Sequence, residues 1–293
     1  MILIWPMALR MFGCPTGEET IMRSVRSFVA TLLALGLLAT APAARAQVGV
    51  GVSINVAPPP IPVYAQPPLP GPGYMWTPGY WAWGPSGYYW VPGTWVMPPS
   101  VGLLWTPGYW GWRDGLYVWH AGYWGPHVGF YGGINYGFGY TGVGFHGGYW
   151  AHGAYFYNRS VTNFGHVHVG NVYNQRVVYD QHIGHASFNG GPGGIGARPG
   201  PHERNAEHED HREATELQAQ HEHAAGGNRA LFASENHGHP HIAGTSTAGH
   251  FEGAGITAAR GGARPPQSHG GGPQGGPHSQ PHDQGHHEGH EGH

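Results

Sequence analysis

Histidine is the residue whose spacing in this chain most invites a chemical reading. Of 24 His, 16 lie at or beyond His202. His237-x-His239-x-His241, His221-x-His223 and His286-His287-x-x-His290-x-x-His293 place imidazoles within reach of one another. His166 and His168, read as part of a strand, would project to one face. Imidazole suits Zn, Cu or Ni, and a flexible segment can gather several. A structural zinc site needs a closed ligand set with oriented groups behind it, which Gly-rich sequence does not supply. The candidate metal ligands are therefore His166, His168, His237, His239, His241, His286, His287, His290 and His293. The leading reading is a solubilising segment that gains charge in acid, and the alternative is weak, polydisperse chelation of a divalent transition metal, with no cofactor required. Below roughly pH 6 the same imidazoles protonate and turn the chain basic.

Other chemical signatures fail on inspection. Gly137-x-Gly139-x-x-Gly142 and Gly142-x-Gly144-x-x-Gly147 match the dinucleotide pattern, but 53 Gly make such matches a matter of chance. Neither opens a helix in a βαβ unit. The sequence has no Gly-x-Ser-x-Gly elbow and no His-Glu-x-x-His helix. Cys14 stands alone, which excludes a disulfide framework. Between residues 74 and 180 the only carboxylates are Asp114 and Asp180, and Asp114 belongs to a turn, so a paired acid and base for glycoside hydrolysis is lacking. The reading is of a protein that is not an enzyme. Its 13 cationic side chains against 16 acids are too balanced to imply a nucleic-acid partner.

The elements around these residues begin with an export signal. Residues 1–21 read as an over-extended start, because the charged region of a secretory signal begins at Arg23 and Arg26. An apolar run from Phe28 to Ala39 follows, and Ala44-Arg45-Ala46 precedes a cleavage point between Ala46 and Gln47. The run is too short for the roughly 20 residues of a transmembrane helix, and no later stretch is apolar enough to be one. Met11-Phe-Gly-Cys14 is a poor lipoprotein box, since Arg10 interrupts the apolar run before it. Residues 22–46 are thus a signal peptide. Residues 47–73, dominated by proline, read as a semi-rigid extended spacer.

Residues 74–127 hold ten Trp and seven Tyr but only two charged side chains, Arg113 and Asp114. One phrase is written four times: Trp76-Thr-Pro-Gly79-Tyr-Trp81, Trp90-Val-Pro-Gly93-Thr-Trp95, Trp105-Thr-Pro-Gly108-Tyr-Trp110 and Trp119-His-Ala-Gly122-Tyr-Trp124. Pairs of copies repeat every 29 residues. Asp114-Gly115 is a strong hairpin turn and sets Arg113 opposite Leu116, Trp112 opposite Tyr117 and Trp110 opposite Trp119. Gly84-Pro-Ser-Gly87 does the same for Trp83 with Tyr88 and Trp81 with Trp90. Treating each Pro-Gly pair as a type II turn would further pair Trp76 with Trp81, Trp90 with Trp95, and Trp105 with Trp110. Ala121-Gly122 would do likewise for Trp119 and Trp124. Each unit is then a four-strand meander with its tryptophans in one row on an aromatic face that must be covered or must bind something.

These residues are similar to the bacterial YXWGXW repeat proteins, also described by a WXXGXW repeat. The resemblance covers about 50 residues and keeps both Trp and the Gly in all four copies, while Ala121 departs from the Pro of the others. It implies an exported envelope protein, mostly of Gram-negative bacteria, and carries no catalytic residue with it.

The expected fold is all-β: an antiparallel meander of short Trp-rich hairpins in two four-stranded units. Residues 128–180 form a Gly/Tyr-rich β extension able to cover the Trp rows, with one or two strands between Val161 and Tyr179. Residues 181–202 read as a linker, 203–225 as one solvated helix, and 226–293 as a disordered His/Gly-rich tail. The leading function is a non-enzymatic structural or interaction protein of the periplasm or outer envelope, or secreted. Its alternatives are metal buffering by the tail and binding of envelope glycan or peptidoglycan through exposed Trp rows. Self-association is the other partner considered.

Overall fold

The computed structural model describes residues 52–178 and 185–260. The signal peptide with its Ala46–Gln47 cleavage point, and His286, His287, His290 and His293, lie outside the described residues.

Among the described residues the chain is mostly short strands in small, chiefly antiparallel sheets, with few helices. Strand β1 (Ser53–Ile54) precedes the Pro-rich segment. The first repeat supplies β2 (Met75–Thr77), β3 (Tyr80–Gly84), β4 (Gly87–Val91) and β5 (Gly93–Val96). The second supplies β6 (Leu104–Thr106), β7 (Tyr109–Arg113), β8 (Leu116–His120) and β9 (Tyr123–Gly125). Strands β10 (Asn135–Gly137), β11 (Tyr140–Thr141), β12 (Gly148–Ala151), β13 (Ala154–Asn158), β14 (Val172–Tyr173) and β15 (Phe188–Asn189) follow. The C-terminal part contributes α1 (Pro201–Ala206), α2 (Glu216–Gly226), α3 (Ala233–Asn236), β16 (Gly244–Thr245) and β17 (Ile256–Thr257).

The hairpin tips form as their turn residues dictate. Asp114 and Gly115 take φ of 52° and 84°, the double left-handed conformation of a type I′ turn. The pairs Trp110 with Trp119, Trp112 with Tyr117 and Arg113 with Leu116 follow, as do Trp81 with Trp90 and Trp83 with Tyr88.

The Pro-Gly pairs do not turn the chain, and this corrects the meander. Strand β2 pairs with β5 and β6 with β9, so Trp76 faces Trp95 and Trp105 faces Trp124. The register runs unbroken from these outer pairs into the tip pairs, so each repeat is one long two-stranded hairpin. A type II turn needs its glycine at positive φ, and Gly79, Gly93, Gly108 and Gly122 are not in that region. Pro78-Gly79 instead faces Pro92-Gly93. Each proline removes one donor from the ladder, which interrupts pairing without reversing direction.

Three further segments cover the hairpins. The Pro-rich segment is not a free spacer: Ile61, Tyr64 and Leu69 are core residues, and the carbonyls of Pro60 and Pro67 accept the indole N–H of Trp81 and Trp95, both at 3.0 Å. Proline has a carbonyl acceptor but no backbone N–H, so an extended Pro-rich strand carries an excess of acceptors and is well suited to receive donors. From the Gly-rich stretch, Tyr136 and Tyr140 donate their hydroxyls to the carbonyls of Gly108 and Trp105 at 2.6 and 2.8 Å. Phe138 packs edge-on to Trp76.

Residues 226–260 are also built into the fold rather than disordered. Leu231, Ile242 and Ala243 are buried, and β16 runs parallel to β5 with Gly244 beside Gly93. Their few apolar side chains suffice because the hairpin offers a preformed aromatic surface and an open strand edge.

The helix read over 203–225 divides into α1 and α2, and α2 is docked, burying Gln218, His221 and Ala225. Thr215 and Gln218 form a capping box that starts the helix at Glu216. The 181–202 linker includes β15, which pairs parallel with β7. Between Val161 and Tyr179 only Val172–Tyr173 is strand among the described residues.

Candidate functional site

The repeated phrase has an internal logic that its linear reading conceals. A methyl group at Gly79 would lie 2.3 Å from Trp90 Cζ2, and one at Gly93 would lie 2.4 Å from Trp76 Cζ2. In the second repeat a methyl at Gly108 would lie 2.5 Å from Trp119, and one at Gly122 2.5 Å from Trp105. The glycine of each copy therefore seats the first tryptophan of the copy on the opposite strand. Each hairpin is two phrases clasped antiparallel, and the crossing forms a socket of two indoles and two glycines.

In the first repeat the socket is filled. The Tyr64 ring lies 6.4 Å from Trp76 and 6.2 Å from Trp90, and its hydroxyl accepts from Gly79 N at 3.3 Å. Ala243 O accepts both Trp90 Nε1 at 3.0 Å and Gly93 N at 3.1 Å. Burial pushes the Tyr64 phenol far up, so it is a neutral hydrogen-bonding plug.

At the second socket a cavity of about 100 Å³ is lined by Trp105, Gly108, Trp119 and Gly122. Its other walls include Thr77, Thr94 and Tyr80 from the first repeat and Gln218, His221 and Glu222 from α2. Tyr80 stacks on Trp119 with centroids 5.1 Å apart, and its hydroxyl donates to Glu222 Oε2 at 2.8 Å. Burial and then the Glu222 carboxylate hold the Tyr80 phenol well above its ordinary range. Thr94 Oγ1 is buried with no hydrogen-bond partner among the described residues.

His221 fastens α2 to this region. Its Nε2 donates to Pro92 O at 2.8 Å while its Nδ1 accepts from Gly249 N at 2.8 Å, which fixes the neutral tautomer. Burial drives its pKa down to about 4, against a smaller upward pull from the Pro92 carbonyl. In an unfolded chain the imidazole titrates near 6.5, so between pH 6.5 and 4 the unfolded state binds more protons. Stability from this residue is fully present above that window and falls as pH drops through it, by about 3 kcal/mol in all. The urea midpoint should decline from pH 7 to pH 4, and His221→Leu should remove most of that slope.

Among the described residues the expected metal ligands are not brought together. His166 and His168 are exposed and lie outside any strand, so they share no strand face. His237 caps α3 with φ of 51°, exposed His239 donates its backbone N–H to Asn236 O, and His241 is half-buried. Among the described residues no three His, Cys, Asp or Glu side chains are placed to hold a metal ion.

The Trp rows are not an exposed platform. Trp81, Trp90, Trp95, Trp110 and Trp124 are at most 2% accessible, and Trp76 and Trp105 are also buried. Only Trp119 in the phrases is half-buried. Sequence alone does not single out the residues that close the rows, although Tyr64 is the one aromatic between the first strand and the repeats, and Thr215-x-x-Gln218 spells a capping box. Gln218 Oε1 also accepts Trp124 Nε1 at 2.8 Å.

Comparison with curated proteins and with solved structures gave no match. A family model described as WXXGXW repeat (2 copies) matches residues 71–96 and 101–124. Each match spans one complete hairpin, from its outer tryptophan pair through its tip. Residues 71–96 and 101–124 of this chain are thus two WXXGXW repeats, and the structural unit of the repeat is a pair of phrases clasped Trp-over-Gly.

Proposed function

We propose that this is an exported, non-enzymatic protein of the cell envelope, whose clasped hairpins form a structural and interaction scaffold. The supporting observation is how the aromatic side chains are used. Five of the eight phrase tryptophans donate their indole N–H to acceptors within the fold, through bonds of 2.7–3.0 Å. Side chains committed this way stabilise a module and leave little aromatic surface for stacking on glycan. Export rests on Arg23, Arg26, the apolar run and the Ala44-Arg45-Ala46 site. Asp114 occupies an exposed hairpin tip, with no second carboxylate in the repeats to share acid–base work. Fractionation of cells making a C-terminally tagged chain tests this reading. The expected product is in the envelope fraction and begins at Gln47; a cytoplasmic product with an intact leader would overturn it.

A second reading rests on the 16 His at or beyond His202. In it the C-terminal segment buffers Zn, Ni or Cu. Calorimetric titration of the processed protein should then show binding tighter than about 100 μM, and its absence would remove this reading.

A further inference from the structure

The two repeats are related by a 29-residue shift that maps Trp76, Gly79, Trp90 and Gly93 onto Trp105, Gly108, Trp119 and Gly122. The first four surround the Tyr64 phenol, and the second four line the cavity. In the filled socket Gly79 N–H, Trp90 Nε1–H and Gly93 N–H are taken up by Tyr64 Oη or Ala243 O, while Trp76 Nε1 is buried without a partner among the described residues. Their backbone counterparts, Gly108 N–H and Gly122 N–H, meet no backbone acceptor among the described residues. Tyr80 covers one face of Trp119, but its hydroxyl goes to Glu222 rather than to Gly108. Thr94 Oγ1, 1% accessible and without a partner, stands in the facing wall.

We propose that the second socket is a binding site for a para-substituted phenol, held as Tyr64 is held in the first. The cavity of about 100 Å³ is smaller than the roughly 150 Å³ that admits benzene, so the phenol enters hydroxyl first and its para substituent projects past exposed Ala214 at the rim. The ring lies between the indoles of Trp105 and Trp119, and its oxygen accepts from Gly108 N–H. An apolar ring of the same size fills the space but leaves that donor unmet, and sites built to bond a hydroxyl discriminate strongly against analogues lacking it. The phenol has two sources, a free small molecule or a tyrosine on an extended peptide.

The test is titration of the processed protein with p-cresol, toluene and N-acetyltyrosine amide, followed by ¹H–¹⁵N spectra of the indole N–H groups. p-Cresol should bind at least tenfold more tightly than toluene and shift the Trp119 indole resonance while leaving that of Trp90 in place. Ala214, exposed at the rim of the cavity, gives a blocking variant. Ala214→Phe should weaken p-cresol at least tenfold with an unchanged melting curve. Comparable affinity for the tyrosine amide assigns the site to a peptide, and binding of p-cresol alone assigns it to a free phenol. Equal affinity for toluene, no saturable p-cresol binding, or shifts confined to other indoles would overturn the proposal.

Discussion

Gly79→Ala should destabilise the protein by about 3 kcal/mol or more, as much as a severe overpacking substitution. The added methyl would lie 2.3 Å from Trp90 Cζ2 and 2.8 Å from the backbone nitrogen of Gly93, so neither neighbour can yield easily. Trp90 is fully buried, and its indole nitrogen is tied to Ala243 O at 3.0 Å. Retreat of the ring breaks that bond; retreat of the backbone opens the hairpin. Gly87→Ala is the natural control. Gly87 has φ of 99° with nothing within 4 Å of an added methyl, so it carries conformational strain of only about 1–2 kcal/mol. Urea midpoints of the two variants separate the effects. Combining Gly79→Ala with Trp90→Leu, whose side chain is smaller, should recover part of the loss, and the coupling between neighbours in contact falls at about 1–3 kcal/mol. Additive costs would mean that the glycine serves the backbone and not the ring.

The same pair shows what was legible in the sequence. Tip turns are local, and Asp114-Gly115 specifies both its conformation and the pairs Arg113 with Leu116, Trp112 with Tyr117 and Trp110 with Trp119. The role of Gly79 is not local. Pro-Gly is equally compatible with a turn and with a break in a continuing ladder, and only the partner ring 11 positions away decides between them. Covering segments were harder still. The Pro-rich stretch has no periodicity to reveal that its carbonyls at Pro60 and Pro67 face indole donors. Residues 226–260 look too polar to fold by themselves, and they order only because β5 and the aromatic face exist already. The spacing of His221 and His223 suggests a metal pair, whereas the bonds of His221 to Pro92 and Gly249 make it a neutral clasp. In this chain the sequence reveals local turns and repeats, and what remains hidden is which segment fills which aromatic face.

Trp110→Ala should cost about 3–5 kcal/mol, the range for removing a large buried aromatic. The side chain is 2% accessible and touches both repeats: its ring is edge-on to Tyr88 at 5.5 Å and 5.2 Å from Trp119. Its Nε1 donates to Trp81 O at 2.7 Å, so the variant also orphans a buried carbonyl of the first hairpin. Trp81 in turn donates to Pro60 O, and a 29-residue shift carries Trp81 onto Trp110. The bond that docks the second repeat on the first thus copies the one that docks the first on the Pro-rich segment. Loss of the Trp110 link should therefore uncouple the hairpins, giving a broader urea transition with a lower midpoint and tryptophan emission shifted to the red. Trp112→Ala, at a ring 38% accessible near the hairpin tip, should move the midpoint far less. If Trp110→Ala instead kept the midpoint of the parent, the tryptophan row would be a surface for partners, and the Trp81-to-Trp110 stacking of the repeats would lose its energetic basis.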